Sequence, residues 1–427
     1  MTDLVVRPLL STKVPTADSR TEAFGQQRFG TRSGGIALEL RLPEAMNANQ
    51  LLAAEVLIDL CLRMDPIVAE IRLATSNVTA VQLVESASRR FPLAQNATAD
   101  ASLQTVRFAV GAYDVPYVDV SDWSVGFNAP VPSAQRNFPA GPFLGALEAA
   151  KYIFLKAATI AYPATGDHLA WTGPRVFDAW NWRWSSSDDR SSPHVAAQAR
   201  EVAIALVGCG GVGAGYLWFL RKTSFFGELL LIDDDVIKWH NMNRLPYATI
   251  ADAAGQRRKV AAAADYMAGS WKVQPVARQA EHDEAFAALK ASAARGGLLA
   301  SAVGEPETRK YLGRRGFQHF FDAGTNSDGW ARVLALTPGA SKCSECQIQA
   351  GPVGQPGRCA EAETEVFAGV VPHLAAYGGV LMALEHSRLL LGAPVLGGAN
   401  TQSIMMDLEP TTRLPAARCK TCPLLSM

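Results

Sequence analysis

An excess of either charge is missing from this sequence: 40 Lys and Arg offset 40 Asp and Glu, so no net positive field recruits nucleic acid. No polybasic patch marks a membrane surface either. Long hydrophobic runs are also missing. No stretch reaches the roughly eighteen apolar residues that a membrane span needs. Met1-Thr-Asp-Leu-Val-Val-Arg7 lacks the charged and then apolar regions of a secretory leader. Cysteine is scarce and odd in number. Of the 7 cysteines, two C-x-x-C pairs and a leftover thiol suit metal binding in a reducing compartment better than a disulfide framework. These absences lead to the expectation of a cytoplasmic globular protein with no nucleic-acid and no membrane partner. Its 427 residues, 48% of them hydrophobic, are enough for two or three domains with sizeable cores.

What is present centres on Val202-Ala-Ile-Ala-Leu-Val-Gly-Cys-Gly-Gly-Val-Gly-Ala214 and Leu229-Leu-Leu-Ile-Asp-Asp-Asp235. A β-branched and aliphatic run enters a Gly-x-Gly-Gly-x-Gly turn, a helical pattern follows, and a second apolar run closes on acids. This is the layout of a nucleotide-binding βαβ unit. Gly208, Gly210 and Gly211 allow a tight turn and a close approach of backbone to phosphate, and Gly213 lets the helix pack on the strand. Asp233 is placed to accept from a ribose, with Asp235 two residues on. The glycine pattern alone does not separate NAD, FAD, S-adenosylmethionine and ATP.

The first half of the chain has no such turn. Residues 1–35 read as a polar N-terminal arm or short helix carrying Arg20, Arg28 and Arg32. Strands are expected at Ile36–Leu42, Pro66–Leu73, Thr105–Gly111 and Tyr117–Val120, and helices at Gln50–Met64 and Thr79–Arg90. That alternation argues for a mostly parallel sheet. Gly141–Lys151 reads against Gly378–Arg388 with glycine, leucine, Ala-Leu-Glu and a basic residue at the same offsets. Each is followed by a strand candidate, Arg175–Trp184 in one case and Thr401–Asp407 in the other. An internal duplication is therefore expected, with residues 36–185 a degenerate copy that has lost its nucleotide turn. The polar, turn-rich run from Ser185 to Pro193 places a linker at 186–194 and a second domain at 195–427.

After the βαβ unit come Asp233-Asp-Asp-Val-Ile-Lys-Trp-His-Asn-Met-Asn-Arg244 and Gly255-Gln-Arg-Arg-Lys259. This succession resembles the ThiF/MoeB family and the adenylation domains of ubiquitin-activating enzymes, over roughly residues 195–425. Fold class follows from the resemblance and the repeat together: α/β, with two Rossmann-like doubly wound sheets, the C-terminal one an active ThiF-type adenylation domain. The resemblance implies that ATP is used to activate a carboxylate. Arg244 and Lys259 would supply positive charge to the polyphosphate, Asn241 would orient a phosphate or the carboxylate, and Asp233 would hold the ribose. Relatives carry a magnesium-holding Asp where this chain has Gly304, in Leu298–Arg309, which leaves Glu305 or Asp322 to serve Mg2+ instead. The resemblance also implies an arginine reaching the γ-phosphate from a neighbouring domain or subunit, for which Arg28 or Arg20 is available.

Cys343-Ser-Glu-Cys346 and Cys419-Lys-Thr-Cys422 make two knuckles of a closed, structural Zn2+ site. Cys359 stands between them, after the glycine-rich segment Gly351–Gly357. A lone cysteine is ordinarily a small buried hydrophobe, but in the family the reactive cysteine occupies a similar place, so attack of the Cys359 thiolate on the adenylate is expected. The function implied is ATP-dependent activation of the C-terminal glycine of a ubiquitin-like protein, with transfer from a Cys359 thioester to a conjugating-enzyme-like protein. The layout is similar to activating components of bacterial ubiquitin-like conjugation operons associated with antiviral defence. A sulfur-carrier adenylyltransferase of the thiamin or molybdopterin type, and a non-catalytic nucleotide- or protein-binding scaffold, stay open beside it. A homodimer stays open too, because a built-in second copy can replace a partner subunit or sit beside one.

Overall fold

A computed structural model describes residues 4–8, 34–74, 78–88, 91, 93–95, 97–111, 113–131, 138–161, 174–185, 199–315, 317–325, 331–336, 372–393, 402–406 and 409–411. The chain divides into two compact units. One comprises residues 1–197, 238–254 and 367–373, and the other 198–237, 255–366 and 374–427.

The first unit holds β1 (Leu4–Pro8), β2 (Ile36–Arg41), α1 (Ala48–Leu62), β3 (Val68–Ala74), α2 (Val78–Ser88), β4 (Leu93–Gln95), β5 (Gln104–Val110), β6 (Tyr117–Val120), β7 (Ser124–Phe127), α3 (Ala140–Ala161), β8 (Arg175–Asp178) and β9 (Arg183–Ser185). They form one sheet in the order β4-β1-β3-β2-β5-β6-β7-β8-β9. From β3 to β6 the neighbours run parallel, and outside that stretch every pairing is antiparallel. The parallel centre explains why Ile36, Ala37, Leu38 and Leu40 are all buried, a near-continuous apolar strand rather than an alternating one.

Two local expectations change. Leu4–Pro8, expected within a polar arm, is an edge-region strand. Val5 and Val6 are buried, and Arg7 donates twice to the fully buried Glu70, from Nε at 3.0 Å and from a terminal nitrogen at 2.9 Å. Arg175–Trp184, expected as one strand, folds back on itself. The Asp178 carboxylate accepts from the backbone N–H groups of Trp180 and Asn181, Trp182 sits at φ 55°, and β8 turns into β9.

The second unit holds β10 (Arg200–Val207), α4 (Gly211–Arg221), β11 (Phe225–Ile232), α5 (Lys259–Met267), β12 (Trp271–Val276), α6 (Asp283–Ala294), β13 (Leu298–Ser301), α7 (Pro306–Gly313), β14 (Phe320–Thr325), β15 (Ala331–Leu336), α8 (Pro372–Leu390), β16 (Gln402–Met406) and β17 (Glu409–Thr411). Its sheet order is β12-β11-β10-β13-β14-β15-β16-β17, parallel as far as β14 and antiparallel beyond. The chain runs outward from β10 to β12 and then crosses back to β13 on the other side of β10. The switch point of the sheet is thus the gap between the carboxyl ends of β10 and β13. The core contains Val207, Leu230, Ile232, Leu289 and Leu299. Helices α4 and α8 touch backbone to backbone: a Cβ on Gly379 would lie 2.0 Å from the Val212 carbonyl oxygen, and one on Gly215 would lie 2.6 Å from that of Ala376.

Seven strands of each sheet agree in order and direction. In the first unit they are β3-β2-β5-β6-β7-β8-β9 and in the second β11-β10-β13-β14-β15-β16-β17. The repeated sequence motif falls on α3 and α8, which occupy the same place in the two orders, before the second antiparallel strand. Its shared Glu is buried in both, with Lys151 3.5 Å from Glu148 and Arg388 paired to Glu385. No described helix is long and apolar enough to cross a membrane.

Candidate nucleotide site

The glycine turn leaves β10 at the switch point. Gly208 takes φ +92°, and a Cβ there would lie 2.7 Å from the carbonyl oxygen of Ala302, the residue after β13. Ala302 in turn donates its N–H to Val207 at 2.8 Å, so the two strand ends are held together beneath the turn. Gly213, in the first turn of α4, has no room for a side chain, because a Cβ would lie 1.9 Å from the Gly208 carbonyl oxygen. Gly210 differs. It is the N-cap of α4, no side chain caps the helix there, and nothing lies within 4 Å of where its Cβ would be. Gly210, Gly211 and Val212 are partly exposed. Together these features give a helix start with no side-chain cap, with its positive dipole end and with open space around the Gly210 position.

Asp233, at the end of β11, fastens this turn. One carboxylate oxygen accepts from the Cys209 N–H at 2.7 Å and the other from the Asp235 N–H at 2.9 Å. Asp233, expected at a ribose, holds the glycine turn in the structure, and each oxygen keeps a second lone pair for a ligand. Cys209 is buried, and its thiol is pushed well above its ordinary range, first by burial and then by the Asp233 carboxylate, with Lys259 opposing. It is a protonated packing group in the turn.

Lys259 opens α5 and is buried, and its Nζ lies 2.5 Å from the Asp235 carboxylate. The pair forms because residues 255–259 double back along 234–237: Val236 bridges Arg258, the Ile237 N–H donates to Arg257, and the Lys259 N–H donates to the Asp235 carbonyl. Gly208, Gly210, Gly211, Gly213, Asp233, Asp235 and Lys259 therefore belong to one unit and are tied to one another by these bonds.

Asn241 and Arg244 lie on residues 238–254, a segment of the first unit. Asn241 is buried in a short 3-10 turn (Trp239–Asn241), where its side-chain oxygen accepts from the Lys238 N–H at 2.9 Å. Arg244 is half-buried, and one terminal nitrogen donates to the His240 carbonyl at 2.9 Å and to the Asn243 side chain at 3.1 Å.

A magnesium ion does not find an evident seat among the described carboxylates. Asp322 is fully buried, accepts from the Ser301 hydroxyl at 2.8 Å and lies 3.4 Å from Arg309 Nε, so it is engaged inside the protein rather than presented to a hard cation. Glu305 is exposed at the start of α7. Neither Ser301 nor Arg309 is a site candidate in the sequence, because the partner of both, Asp322, is 21 and 13 residues away in the chain, respectively. Among the described residues no three His, Cys, Asp or Glu side chains come together as a metal site. Cys343, Cys346, Cys419, Cys422, Cys359, Arg20 and Arg28 lie outside the described residues.

Among solved structures, E. coli MccB with ATP is similar at 15% identity and a TM-score of 0.40, over 53% of this chain and 67% of that one. E. coli MccB with MccA is similar at 17% identity and a TM-score of 0.41, over 67% of this chain and 85% of that one. PaaA is similar at 16% identity and a TM-score of 0.38, over 51% of this chain and 64% of that one. Among curated proteins there is no match. The sequence model of one family, ThiF, matches residues 190–424, more than half of the chain and the whole of the glycine turn, Asp233 and Lys259. This protein belongs to the ThiF family.

Proposed function

We propose that the protein uses ATP to activate a carboxylate by adenylation, and that this carboxylate is the C-terminal glycine of a ubiquitin-like protein. The observation that carries the reading is the glycine turn of the second unit: an uncapped helix start facing open space at Gly210, fastened by Asp233 and adjoined by the Lys259–Asp235 pair. A polyanion needs such a place. The α4 N–H groups would receive phosphate oxygens, and the buried Lys259 would supply charge where pyrophosphate develops. In the step proposed, a carboxylate oxygen bonds to the α-phosphorus and the bond to the pyrophosphate oxygen breaks, giving acyl-adenylate and pyrophosphate. Asn241 and Arg244 are the family-motif residues proposed to orient the reacting groups, and Arg28 is proposed to reach the γ-phosphate. Mg2+ would enter with the ATP phosphates and screen their charge.

The second step proposed is attack of the Cys359 thiolate on the adenylate carbonyl carbon, which releases AMP and leaves a thioester for a conjugating-enzyme-like protein. Cys343, Cys346, Cys419 and Cys422 would hold a structural zinc ion. ATP–pyrophosphate exchange with a β-grasp protein ending in glycine tests the first step. Exchange that depends on the free C-terminal carboxylate is expected, and its absence with active partner would leave a nucleotide- or protein-binding scaffold instead. For the second step, Cys359→Ala is expected to keep the exchange and to lose a thiol-sensitive adduct. An adduct that persists in the variant would remove Cys359 from the reaction.

A further inference from the structure

Arg63 stands one residue past the end of α1 and is almost wholly buried, at 1% exposed. A buried guanidinium needs both a counter-ion and acceptors for its fork of donors. The counter-ion is Asp59, one turn earlier, which takes Nε at 2.7 Å and a second nitrogen at 3.4 Å. The guanidinium carbon lies over the Phe91 ring, 5.5 Å from its centre. The remaining terminal nitrogen leaves the helix altogether and donates to two main-chain carbonyls about 180 residues away in sequence, those of Met242 and, at 3.4 Å, Leu245.

Those two carbonyls are not arbitrary. Met242 directly follows Asn241, and Leu245 directly follows Arg244, so one guanidinium nitrogen grips the carbonyl of the residue after each of the two motif residues. Local bonds already coil the segment: Asn241 N–H to Lys238, Met242 N–H to Trp239 and Arg244 N–H to Asn241. Short turns of this kind fix shape but not place. Arg63 adds the place, because Asp59 and Phe91 hold it from the rigid side. Lysine would not reproduce this, having no planar fork to divide between a carboxylate and two carbonyls.

We propose that Arg63, oriented by Asp59, is a positioning residue for the adenylation chemistry: it sets where Asn241 and Arg244 stand by clamping the backbone after each. The inference rests on the reading that Asn241 and Arg244 serve the nucleotide.

The test uses the full chain with Arg63→Lys, Arg63→Met and Asp59→Asn, and three measurements: thermal unfolding, amide hydrogen exchange of peptides covering 239–247 against reference peptides in α5, and MgATP affinity by calorimetry. The expected result is faster exchange confined to 239–247, with α5 unchanged, and MgATP affinity lowered ten-fold or more in Arg63→Lys, whose retained charge keeps Asp59 paired and the unit folded. Displacements of this kind cost up to about 100-fold in rate once chemistry is measured. Unchanged exchange at 239–247 in a folded Arg63→Lys or Arg63→Met protein overturns the clamp. So does wild-type MgATP affinity in a variant whose 239–247 segment is loosened, because the clamp would then have no consequence for the site. If the wild-type protein itself binds no MgATP, the adenylation reading fails while the exchange measurement still decides whether Arg63 fixes the segment.

Discussion

Two glycines three residues apart in the same turn should fail in opposite ways when each becomes alanine. At Gly213 the new methyl would lie 1.9 Å from the Gly208 carbonyl oxygen, a backbone atom of a residue already fixed at φ +92°. Neither side can yield without moving the turn, so Gly213→Ala should cost the upper part of the range for overpacked cores, about 3 kcal/mol. At about 2–4 °C per kcal/mol for a unit of this size, that lowers Tm by roughly 6–12 °C. At Gly210 nothing lies within 4 Å of the methyl, and the backbone sits at φ −69° and ψ −164°, which any residue adopts. Alanine is a poorer N-cap than glycine but restricts the unfolded chain, and the two effects offset to within about 1 kcal/mol. Stability should therefore hold while the methyl occupies the space a phosphate would use. The same overpacking range of about 1–3 kcal/mol then becomes a loss of roughly 5- to 150-fold in MgATP affinity. Scanning calorimetry and titration calorimetry on the two variants measure both quantities. Full MgATP affinity in Gly210→Ala would refute the reasoning, since the open space at the helix start would then not be where the nucleotide lies.

Acid should weaken both units. Burial pushes His373 down to about 3, with Lys151 adding, and pushes His386 down to about 3, with His319 adding. Between the ordinary value of 6.5 and 3 the unfolded chain binds a proton at each site and the folded chain does not. The stability these groups contribute is thus whole above pH 6.5 and is lost as pH falls, by about 1.36 kcal/mol per pH unit each. From pH 6.5 to 5 that is about 2 kcal/mol per histidine. His373→Leu should flatten the slope of denaturation midpoint against pH over this window, and an unchanged slope counts against a neutral buried imidazole. Inside the second unit, Arg309→Leu removes the guanidinium beside the fully buried Asp322 and should destabilise by about 3 kcal/mol in urea, the lower end for a broken buried pair because Arg309 is 14% exposed. Arg309→Leu with Asp322→Leu should recover part of the loss, and a double variant no better than the single one would show that the two side chains do not act on each other.

Much of this was legible in residues that act locally. The strand, glycine turn and second strand of the βαβ unit are periodic and contiguous, and β10, α4 and β11 fall where Val202–Ala214 and Leu229–Asp235 place them. Lys259 is a candidate in the sequence only through the family resemblance of Gly255–Lys259, and its pairing with Asp235 is seen once 255–259 folds back along 234–237. Contacts between distant stretches were illegible. Nothing near Arg63 in sequence points to Met242 and Leu245, and Leu4–Pro8 looks like the start of an arm until the buried Glu70 supplies a partner for Arg7. Asp322 shows the same limit from the other side. As a sequence position it is an acid near a strand end and so a candidate for a cation, whereas Ser301 and Arg309 converge on it only once β13, β14 and α7 are assembled.

The two sheets share strand order, yet their corresponding helix starts are built differently. The helix after the first central strand is α1 in one unit and α4 in the other. In α4 the N-cap is Gly210 and no side chain caps the helix. In α1 the N-cap is Asn47, whose side chain accepts from the Gln50 N–H at 2.9 Å while the Gln50 side chain accepts from the Asn47 N–H at 3.2 Å. This capping box supplies from within the protein what an anion would otherwise supply. The acids at the same end of the first sheet are consumed as well. Asp119 accepts from the Gln50 side chain at 3.1 Å and from the Val131 N–H at 2.9 Å, and Asp122 accepts from Asn49 at 3.0 Å and the Phe138 N–H at 3.1 Å. Every such bond removes a partner that a ligand would need and adds rigidity to α1. The start of α1 is thus capped by its own side chains, whereas the start of α4 is not, and α1 is the helix whose far end precedes Arg63.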